Sequence, residues 1–144
     1  MTRARIGLVA SLLALVTPAA AGTTVHANKQ AVLEFYDLAR KHKDFAAAAN
    51  DVGPRVIQRD ANAADGIDGL KACIELRRAQ SPKAESQIKH AFAAGDFVIL
   101  RVHSIGAPGE RGAAILDVLN GEVAEVWDVV QPIPELAANA ITMF

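Results

Sequence analysis

The chain has 144 residues, of which 51% are hydrophobic, and its 15 basic and 16 acidic side chains nearly cancel. This length allows one domain and hardly two, and the apolar fraction excludes a disordered tail. The near-neutral charge argues against nucleic-acid binding, which needs a basic surface, and a single cysteine excludes an internal disulfide framework.

The N-terminus has the pattern of an export signal. Two arginines precede an uncharged apolar run at residues 6–16, and small residues follow at positions 19–21. This order predicts a secretory signal peptide over residues 1–21, and the apolar run is short for a membrane-spanning helix. We expect cleavage after Ala21, with Ala27 as the alternative, and export to the periplasm or the cell exterior; an uncleaved anchor is the competing interpretation.

Helical patterns fill the first half of the remaining chain. Asn28 is expected to cap a helix over residues 29–41, which carries apolar side chains at helical spacing. Asp44 is expected to cap a second, short helix over 45–49. A short extended piece follows around residues 56–57, and a third helix is predicted to run from about residue 69 to residue 80.

The apolar pattern changes to strands after Ser81-Pro82. Alternation and β-forming residues predict four strands, at 85–93, 97–105, 111–119 and 122–131. Asn120-Gly121 fits a type I′ hairpin turn. Residues 28–144 are therefore predicted to form one α+β domain, with three N-terminal helices packed on a curved antiparallel sheet. Such a cone has a mouth that suits a small-molecule pocket.

Several segments carry a family resemblance. They are Ala-Val-Leu-Glu-Phe-Tyr at 31–36, Val-Ile-Gln-Arg-Asp at 56–60 and, most specific, Glu-Val-Trp-Asp-Val followed by Gln-Pro-Ile-Pro-Glu within 125–135. Together they resemble the SnoaL-like polyketide cyclases of the nuclear-transport-factor-2-like (NTF2-like) superfamily. The resemblance implies the cone fold. It also implies cofactor-independent acid/base chemistry, such as aldol cyclisation or isomerisation, on a carbonyl compound bound in an apolar pocket; as an enzyme, the protein would be a cyclase, isomerase or lyase.

Asp128 is the first candidate catalytic residue. Strand alternation places it on one face with Ala124, Val126 and Val130, as a lone carboxylate among aliphatic side chains. Burial without a partner disfavours a charged carboxylate, an environment typical of acid–base catalysts. The resemblance implies the acid/base role for Asp128. The alternative is a structural aspartate bonded to backbone N–H groups or to an arginine.

Two further strand residues are candidates. His103 titrates near neutrality and is expected to orient or relay a proton for Asp128, although a lone strand histidine is more often on the surface or in a satisfied core. Asp117 is expected either to share the pocket as a ligand-binding residue or, as the favoured alternative, to form a structural bridge with Arg101 or Arg111.

The segment Gln58-Arg59 supplies the remaining ligand-binding candidates. Gln58 offers an amide for a carbonyl oxygen. Members of the resembled family often carry a histidine where this chain has Arg59, and a guanidinium is not a base. Arg59 is expected to bind an anionic group or to neutralise a pocket carboxylate, with a solvated position as the alternative.

Other features predict partners and exclude some sites. Trp127 alternates with Asp128 and so points away from it, which suggests a homodimer formed through the outer face of the sheet. The cluster at residues 40–43 is interpreted as a solvated helix end. The histidines are scattered, so neither a metal site nor a cofactor is predicted, and no stable membrane insertion is expected after cleavage. Besides catalysis, the alternatives are a non-catalytic protein that binds a small hydrophobic ligand, or a structural dimer module.

Overall fold

The first helix is longer than its sequence pattern predicts. The computed structural model describes residues 19–106, 110–119, 121–134, 136 and 138. Helix α1 spans Ala19–Tyr36, so it begins well before the predicted start at residue 29. The added segment is rich in alanine, the residue with the highest helix propensity. Both expected cleavage positions fall inside α1, whereas residues 1–18 lie outside the described part of the chain.

Asn28 therefore has a different role from the predicted helix cap. It lies inside α1 and is 3% exposed. Its side-chain amide donates to the backbone carbonyl of Gly95 at 3.3 Å and lies 3.5 Å from Oδ1 of Asp96. The side chain thus connects the helix to a distant strand turn, and it cannot also cap a helix that has already begun.

The backbone after α1 changes its winding. A π-helical segment spans Asp37–His42, and Lys43 follows it in the left-handed region with φ of 54°. Helix α2 spans Phe45–Ala48, and the side chain of Asp44 accepts a hydrogen bond from the backbone N–H of Ala47 at 3.1 Å, so the predicted cap is confirmed. A short 3₁₀ turn, Ala49–Asp51, leads out of α2.

One five-stranded sheet forms the other layer. The remaining elements are β1 (Val52–Gln58), helix α3 (Gly66–Gln80), β2 (Glu85–Ala94), β3 (Phe97–Ile105), β4 (Glu110–Leu119) and β5 (Glu122–Pro132). The strand order is β1-β5-β4-β3-β2. The four consecutive strands β2 to β5 pair antiparallel, as predicted, and the fold class is confirmed as α+β with three helices packed on a curved sheet.

β1 joins the sheet in a way that local patterning did not indicate. It lies parallel to β5, with Ile57 opposite Glu125 and Gln58 opposite Val126. The backbone N–H of Arg59 continues the ladder by donating to the Val126 carbonyl at 2.9 Å. The partners are far apart in sequence, so no hairpin signal marks the pairing. It is this pairing that brings the end of β1 beside the middle of β5.

A register shift alters the predicted alternation at the start of β5. Asp117 pairs with Glu125 and Val118 pairs with Val123, which leaves Ala124 as an extra residue. Such a bulge reverses which side chains face inward and bends the strand. Val123 is therefore buried together with Val126, and the predicted inward position of Ala124 is corrected.

The core lies between the helices and the inner face of the sheet. Its buried members come from α1, the π-helical segment, α2, β1, α3, β3 and β5, and include Val32, Phe35, Val56, Leu70, Ile74, Val98, Leu100, Val102, Val123 and Val126. Among the described residues, no helix is long and apolar enough to cross a membrane.

Candidate functional site

A cavity of about 780 Å³ is lined by residues of α1, α3 and the sheet. Its volume falls in the range of small-molecule pockets. The apolar lining includes Phe35, Leu70, Ile74, Leu76 and Val126; the uncharged polar lining includes Tyr36, Gln58, Asn62, Ser86 and Ser104; the charged lining includes Arg40, Arg77, Glu85 and Asp128. The interior of the cone is therefore open, whereas a purely structural module would have filled it with side chains.

Asp128 lies in this cavity, but it has a partner. Nη2 of Arg40 donates to Oδ2 of Asp128. The two side chains are 17% and 15% exposed, so the ion pair is largely shielded from water. The prediction of a lone carboxylate is therefore wrong, because Arg40 contacts Asp128. Arg40 neutralises a charge that the cavity could otherwise not accommodate.

Arg40 is positioned by the π-helical segment that follows α1. Its guanidinium carbon lies 5.8 Å from the centre of the Tyr36 ring, which precedes it by about one turn. Lys43, at the end of the same segment, is also buried. The prediction of a solvated helix end holds for the exposed side chains of Lys41 and His42 and is wrong for Arg40 and Lys43. Sequence spacing alone did not reveal that the winding changes here.

Tyr36 adds a hydrogen-bonding group to the ion pair. Burial raises the pKa of the Tyr36 hydroxyl above its ordinary value, although Arg40 and a side-chain hydrogen bond with Ser86 oppose the effect. The phenol consequently stays protonated at neutral pH, where it can donate a hydrogen bond to an oxygen in the cavity. Arg40, Asp128 and Tyr36 together combine a cation, a carboxylate and a neutral donor.

Gln58, one of the predicted ligand-binding residues, lines the cavity. Its backbone N–H donates to Oδ1 of Asp65 at 2.8 Å, which ties the end of β1 to the turn before α3. Cys73 of α3, half-buried, also lines the cavity. Within the described ranges, no group of three or more ligating side chains is placed to hold a metal ion.

His103 does not share the cavity with Asp128. In β3 the side chains of Leu100 and Val102 are buried, and Ser104 lines the cavity. Because side chains alternate along a strand, His103 faces the opposite side of the sheet, where it is half-buried. Its predicted place beside Asp128 is therefore corrected, and the structure does not bring a proton relay from His103 to this carboxylate.

Arg59 lies outside the cavity lining. Nε of Arg59 donates to Oε1 of Glu125, and the Arg59 side chain is 52% exposed. Arg59 therefore neutralises a carboxylate, as one of its predicted roles required, but the carboxylate belongs to Glu125 rather than to the pocket. The backbone of Asp117 pairs with Phe97 and Glu125; the side chain of Asp117 lies outside the described part of the structure.

Sequence reasoning missed Arg40 and Tyr36. Both follow the apolar positions Val32 and Phe35 at helical spacing, so they lie on the face of the helix that packs inward. An arginine on the apolar face of a helix is a signal that a buried acid must exist elsewhere in the chain. That signal was available, although it could not identify Asp128 as the partner.

Comparison with solved structures identifies the fold. A protein provisionally described as a polyketide cyclase from Bacillus cereus ATCC 10987 is 19% identical, with a TM-score of 0.68 over 80% of this chain and 81% of that chain. A SnoaL-like polyketide cyclase, also provisionally described, from Jannaschia sp. CCS1 is 18% identical, with a TM-score of 0.64 over 74% and 86%. A provisionally described ketosteroid isomerase from Kribbella flavida DSM 17836 is 13% identical, with a TM-score of 0.62 over 80% and 85%.

At these sequence identities, structural similarity shows the fold but not the activity. No family model matches the sequence, and the comparison with curated proteins gives no match. An NTF2-like protein from Cytophaga hutchinsonii ATCC 33406 also matches, with 16% identity and a TM-score of 0.60 over 73% of this chain and 90% of that chain. The chain therefore has the fold of the SnoaL-like and NTF2-like superfamily.

Proposed function

We propose that this protein is an enzyme that performs cofactor-independent acid/base chemistry on a carbonyl compound. The observation that carries the proposal is the pair formed by Arg40 and Asp128 beside Tyr36 in an open cavity. Cyclisation of a polyketide and isomerisation of a ketosteroid, the reactions in the names of its structural neighbours, are both reactions of carbonyl compounds.

Asp128 serves as the base and later as the acid. Its Oδ2 is held by Arg40, and Oδ1 is the atom that accepts a proton from the carbon next to the substrate carbonyl. The same carboxyl group returns the proton, either to a different carbon in an isomerisation or to the alkoxide formed in an aldol cyclisation.

Arg40 and Tyr36 stabilise the charge that develops on the substrate oxygen. Removing a proton next to a carbonyl places negative charge on that oxygen, and prearranged donors in a shielded site lower the energy of this state. The cation of Arg40 and the neutral hydroxyl of Tyr36 both lie at the cavity. Gln58 contributes an amide to hold a second polar group.

The experiment is a comparison of two aspartate variants of the full chain. Carbonyl compounds are screened by NMR for exchange of the proton next to the carbonyl in deuterated water. Asp128→Asn should reduce the accelerated exchange by about 10²-fold or more, while the circular dichroism spectrum stays unchanged. The control is Asp68→Asn, because Asp68 is exposed in the first turn of α3. Equal activity in Asp128→Asn and the parent chain would refute the mechanism.

Non-catalytic ligand binding is the second candidate, and the Arg40 contact favours it. An aspartate that is already neutralised by an arginine suits a structural or binding role as well as a catalytic one. A compound that raises the melting temperature without exchange or product formation would select this alternative, because binding to the native state alone stabilises it.

We also propose a homodimer formed through the outer face of the sheet. We name the outer apolar patch by its residues Phe92, Phe97, Ile99, Trp127 and Val129. Across the sheet, Phe92 pairs with Ile99, Ile99 pairs with Ile115, and Ile115 pairs with Trp127. Phe92 is 60% exposed and Val129 is 64% exposed, and contiguous exposed apolar residues mark interaction sites.

Light scattering during size exclusion tests the dimer. Val129→Lys should shift the parent dimer toward a monomer, because it places a charge in an apolar contact. Ala72→Lys, on the exposed side of α3, should leave the mass unchanged. A parent protein that elutes as a monomer at every concentration would contradict the proposed dimer.

Export remains a proposal that rests on residues 1–21. The exported protein should begin at Gly22, or at Asn28 if cleavage follows Ala27. Mass spectrometry of the intact protein from the periplasm or medium gives its N-terminus directly. A full-length mass confined to the cytoplasm would exclude export.

A further inference from the structure

Arg40 is a permanent cation of the cavity lining. Burial by itself lowers the pKa of Arg40, but the adjoining Asp128 carboxylate, assisted by Tyr36, outweighs burial and holds the pKa above its ordinary value. Asp128 therefore faces a fixed positive charge throughout the range in which proteins are folded. Any substrate that reacts at Asp128 meets the same charge.

This ion pair restricts the protons that Asp128 can remove. A proton that arrives at Oδ1 cancels the negative charge that Arg40 contacts at Oδ2. Losing that attraction is costly at a site shielded from water. The cost is offset when the negative charge passes to substrate atoms that Arg40 can contact instead. The site therefore favours a substrate that becomes a stable anion next to the guanidinium.

The shape of the guanidinium selects among such anions. A guanidinium is planar, and its N–H donors form a fixed fork that fits two oxygens side by side, as in a carboxylate. The enolate of an open-chain 1,3-dicarbonyl compound spreads its charge over two oxygens that can lie on the same side. The enolate of a simple ketone has its charge on one oxygen. The first kind of enolate can offer two oxygens to Arg40 in place of the single Asp128 oxygen that Arg40 now contacts.

We propose, on the basis of the proposed function, that the substrates of this cavity are open-chain 1,3-dicarbonyl compounds, such as β-keto esters. These compounds react at the carbon between their two carbonyl groups. The C–H bond of that carbon breaks, its proton goes to Oδ1 of Asp128, and its electron pair spreads over the two oxygens that face Arg40. The carbon then regains a proton, or forms a bond to another carbonyl carbon of the same molecule, whose oxygen takes the proton from Asp128. The net charge of the site is unchanged at each step.

The rest of the lining suits such a molecule. Ile74 and Val126 offer apolar contacts for its hydrocarbon part, while Ser86 and Ser104 offer hydroxyl groups to an ester or ketone oxygen outside the reacting pair. The volume of about 780 Å³ leaves room for substituents beyond the dicarbonyl unit. The site therefore selects the reacting group of the substrate and leaves its other substituents open.

The test measures proton exchange for two matched probes. One is a β-keto ester with a single hydrogen on the carbon between its carbonyls; the other is the same ketone without the ester group. Exchange in deuterated water is followed by NMR with and without the full chain, and each rate is divided by its buffer rate. The acceleration for the β-keto ester should exceed that for the ketone by at least about tenfold. A factor of this size corresponds to the free energy of one charge-assisted hydrogen bond.

A lysine variant tests the role of the fork. Arg40→Lys keeps the positive charge and loses the planar pair of donors. It should reduce the acceleration for the β-keto ester by about tenfold and reduce the preference over the ketone. Retention of the full preference in Arg40→Lys would overturn the assignment of selectivity to Arg40.

The outcomes separate this inference from the function on which it rests. Equal acceleration of both probes, lost in Asp128→Asn, would overturn the substrate class and leave the acid/base function standing. Acceleration of neither probe by the folded parent chain would overturn both. A preference for the β-keto ester that is lost in Asp128→Asn and weakened in Arg40→Lys supports both.

Discussion

Arg40 and Asp128, separated by 88 positions in sequence, form an ion pair inside the cavity. One comes from the π-helical segment after α1 and the other from the middle of β5. The pair joins the helical layer to the sheet at the site where the proposed chemistry takes place. Stability and the proposed activity should therefore depend on the same contact.

Removing one partner of this pair should destabilise the fold. Arg40→Gln leaves a largely buried carboxylate without its countercharge, and we expect a loss of about 2 to 3 kcal/mol, below the range for fully buried pairs. The double variant Arg40→Gln with Asp128→Asn should recover part of that loss, because no unpaired charge remains. Urea unfolding of the parent chain, the two single variants and the double variant measures the coupling free energy between Arg40 and Asp128. Strict additivity of the two substitutions would show that the contact does not contribute.

Lys43 should stabilise the junction between the helices and the sheet. Its ammonium lies 2.7 Å from the Ala84 carbonyl oxygen and 3.3 Å from that of Pro82. Lys43→Met should leave these carbonyls unpaired and cost about 1 to 3 kcal/mol. The matched control is Lys41→Met, since Lys41 makes only an exposed contact with Asp37 and should change stability by less than about 0.5 kcal/mol. Equal unfolding midpoints for the two variants would contradict this role.

Gly69 should tolerate no side chain. A Cβ at this position would lie 1.8 Å from the backbone oxygen of Ala64, and backbone cannot move aside as a side-chain tip can. Gly69→Ala should cost at least about 2 kcal/mol. At Gly53 the nearest atom would be 3.5 Å away, an ordinary contact, so Gly53→Ala is the control. Thermal unfolding compares them, and a Gly69→Ala protein as stable as the control would be the contrary result.

Asp51 should make stability depend on pH. Burial, with a smaller contribution from Glu34, raises the pKa of Asp51 above its ordinary value, and its Oδ2 is buried without a hydrogen bond. The folded state therefore binds this proton more tightly than the unfolded state, and the contribution to stability declines as the pH rises from the unfolded-state pKa through the folded-state pKa.

Asp51→Asn removes the charge that causes this decline. It should stabilise the protein at pH 7 by a small amount, on the order of 0.5 kcal/mol, and the gain should shrink as the pH falls toward 4. Glu34→Gln should give a smaller gain of the same sign. Melting temperatures across this range provide the measurement, and a gain in Asp51→Asn that grows on acidification would reverse the assigned sign.

Local sequence patterns predicted most elements because their causes are local. The side chain of Asp44 caps α2 from the adjacent position, and the alternation of β3 follows from a period of two residues that any buried strand must have. The same alternation correctly placed Asp128 and Trp127 on opposite faces of β5. Alternation also marked Asp128 as a carboxylate in an apolar pattern, whereas the pocket was predicted from the cone fold and the acid/base role of Asp128 from the family resemblance.

The tertiary structure alone decided which groups meet. The pairing of β1 with β5, the bulge at Ala124 and the change of winding after Tyr36 each depend on packing between distant segments. Together they bring Arg40 to Asp128. A sequence pattern indicates which side chains are buried. Which residue each of them contacts is determined by the path of the whole chain. The sequence by itself therefore determined the fold class and two residues of the cavity, Asp128 and Gln58, and the packing of helix against sheet decided the composition of the site.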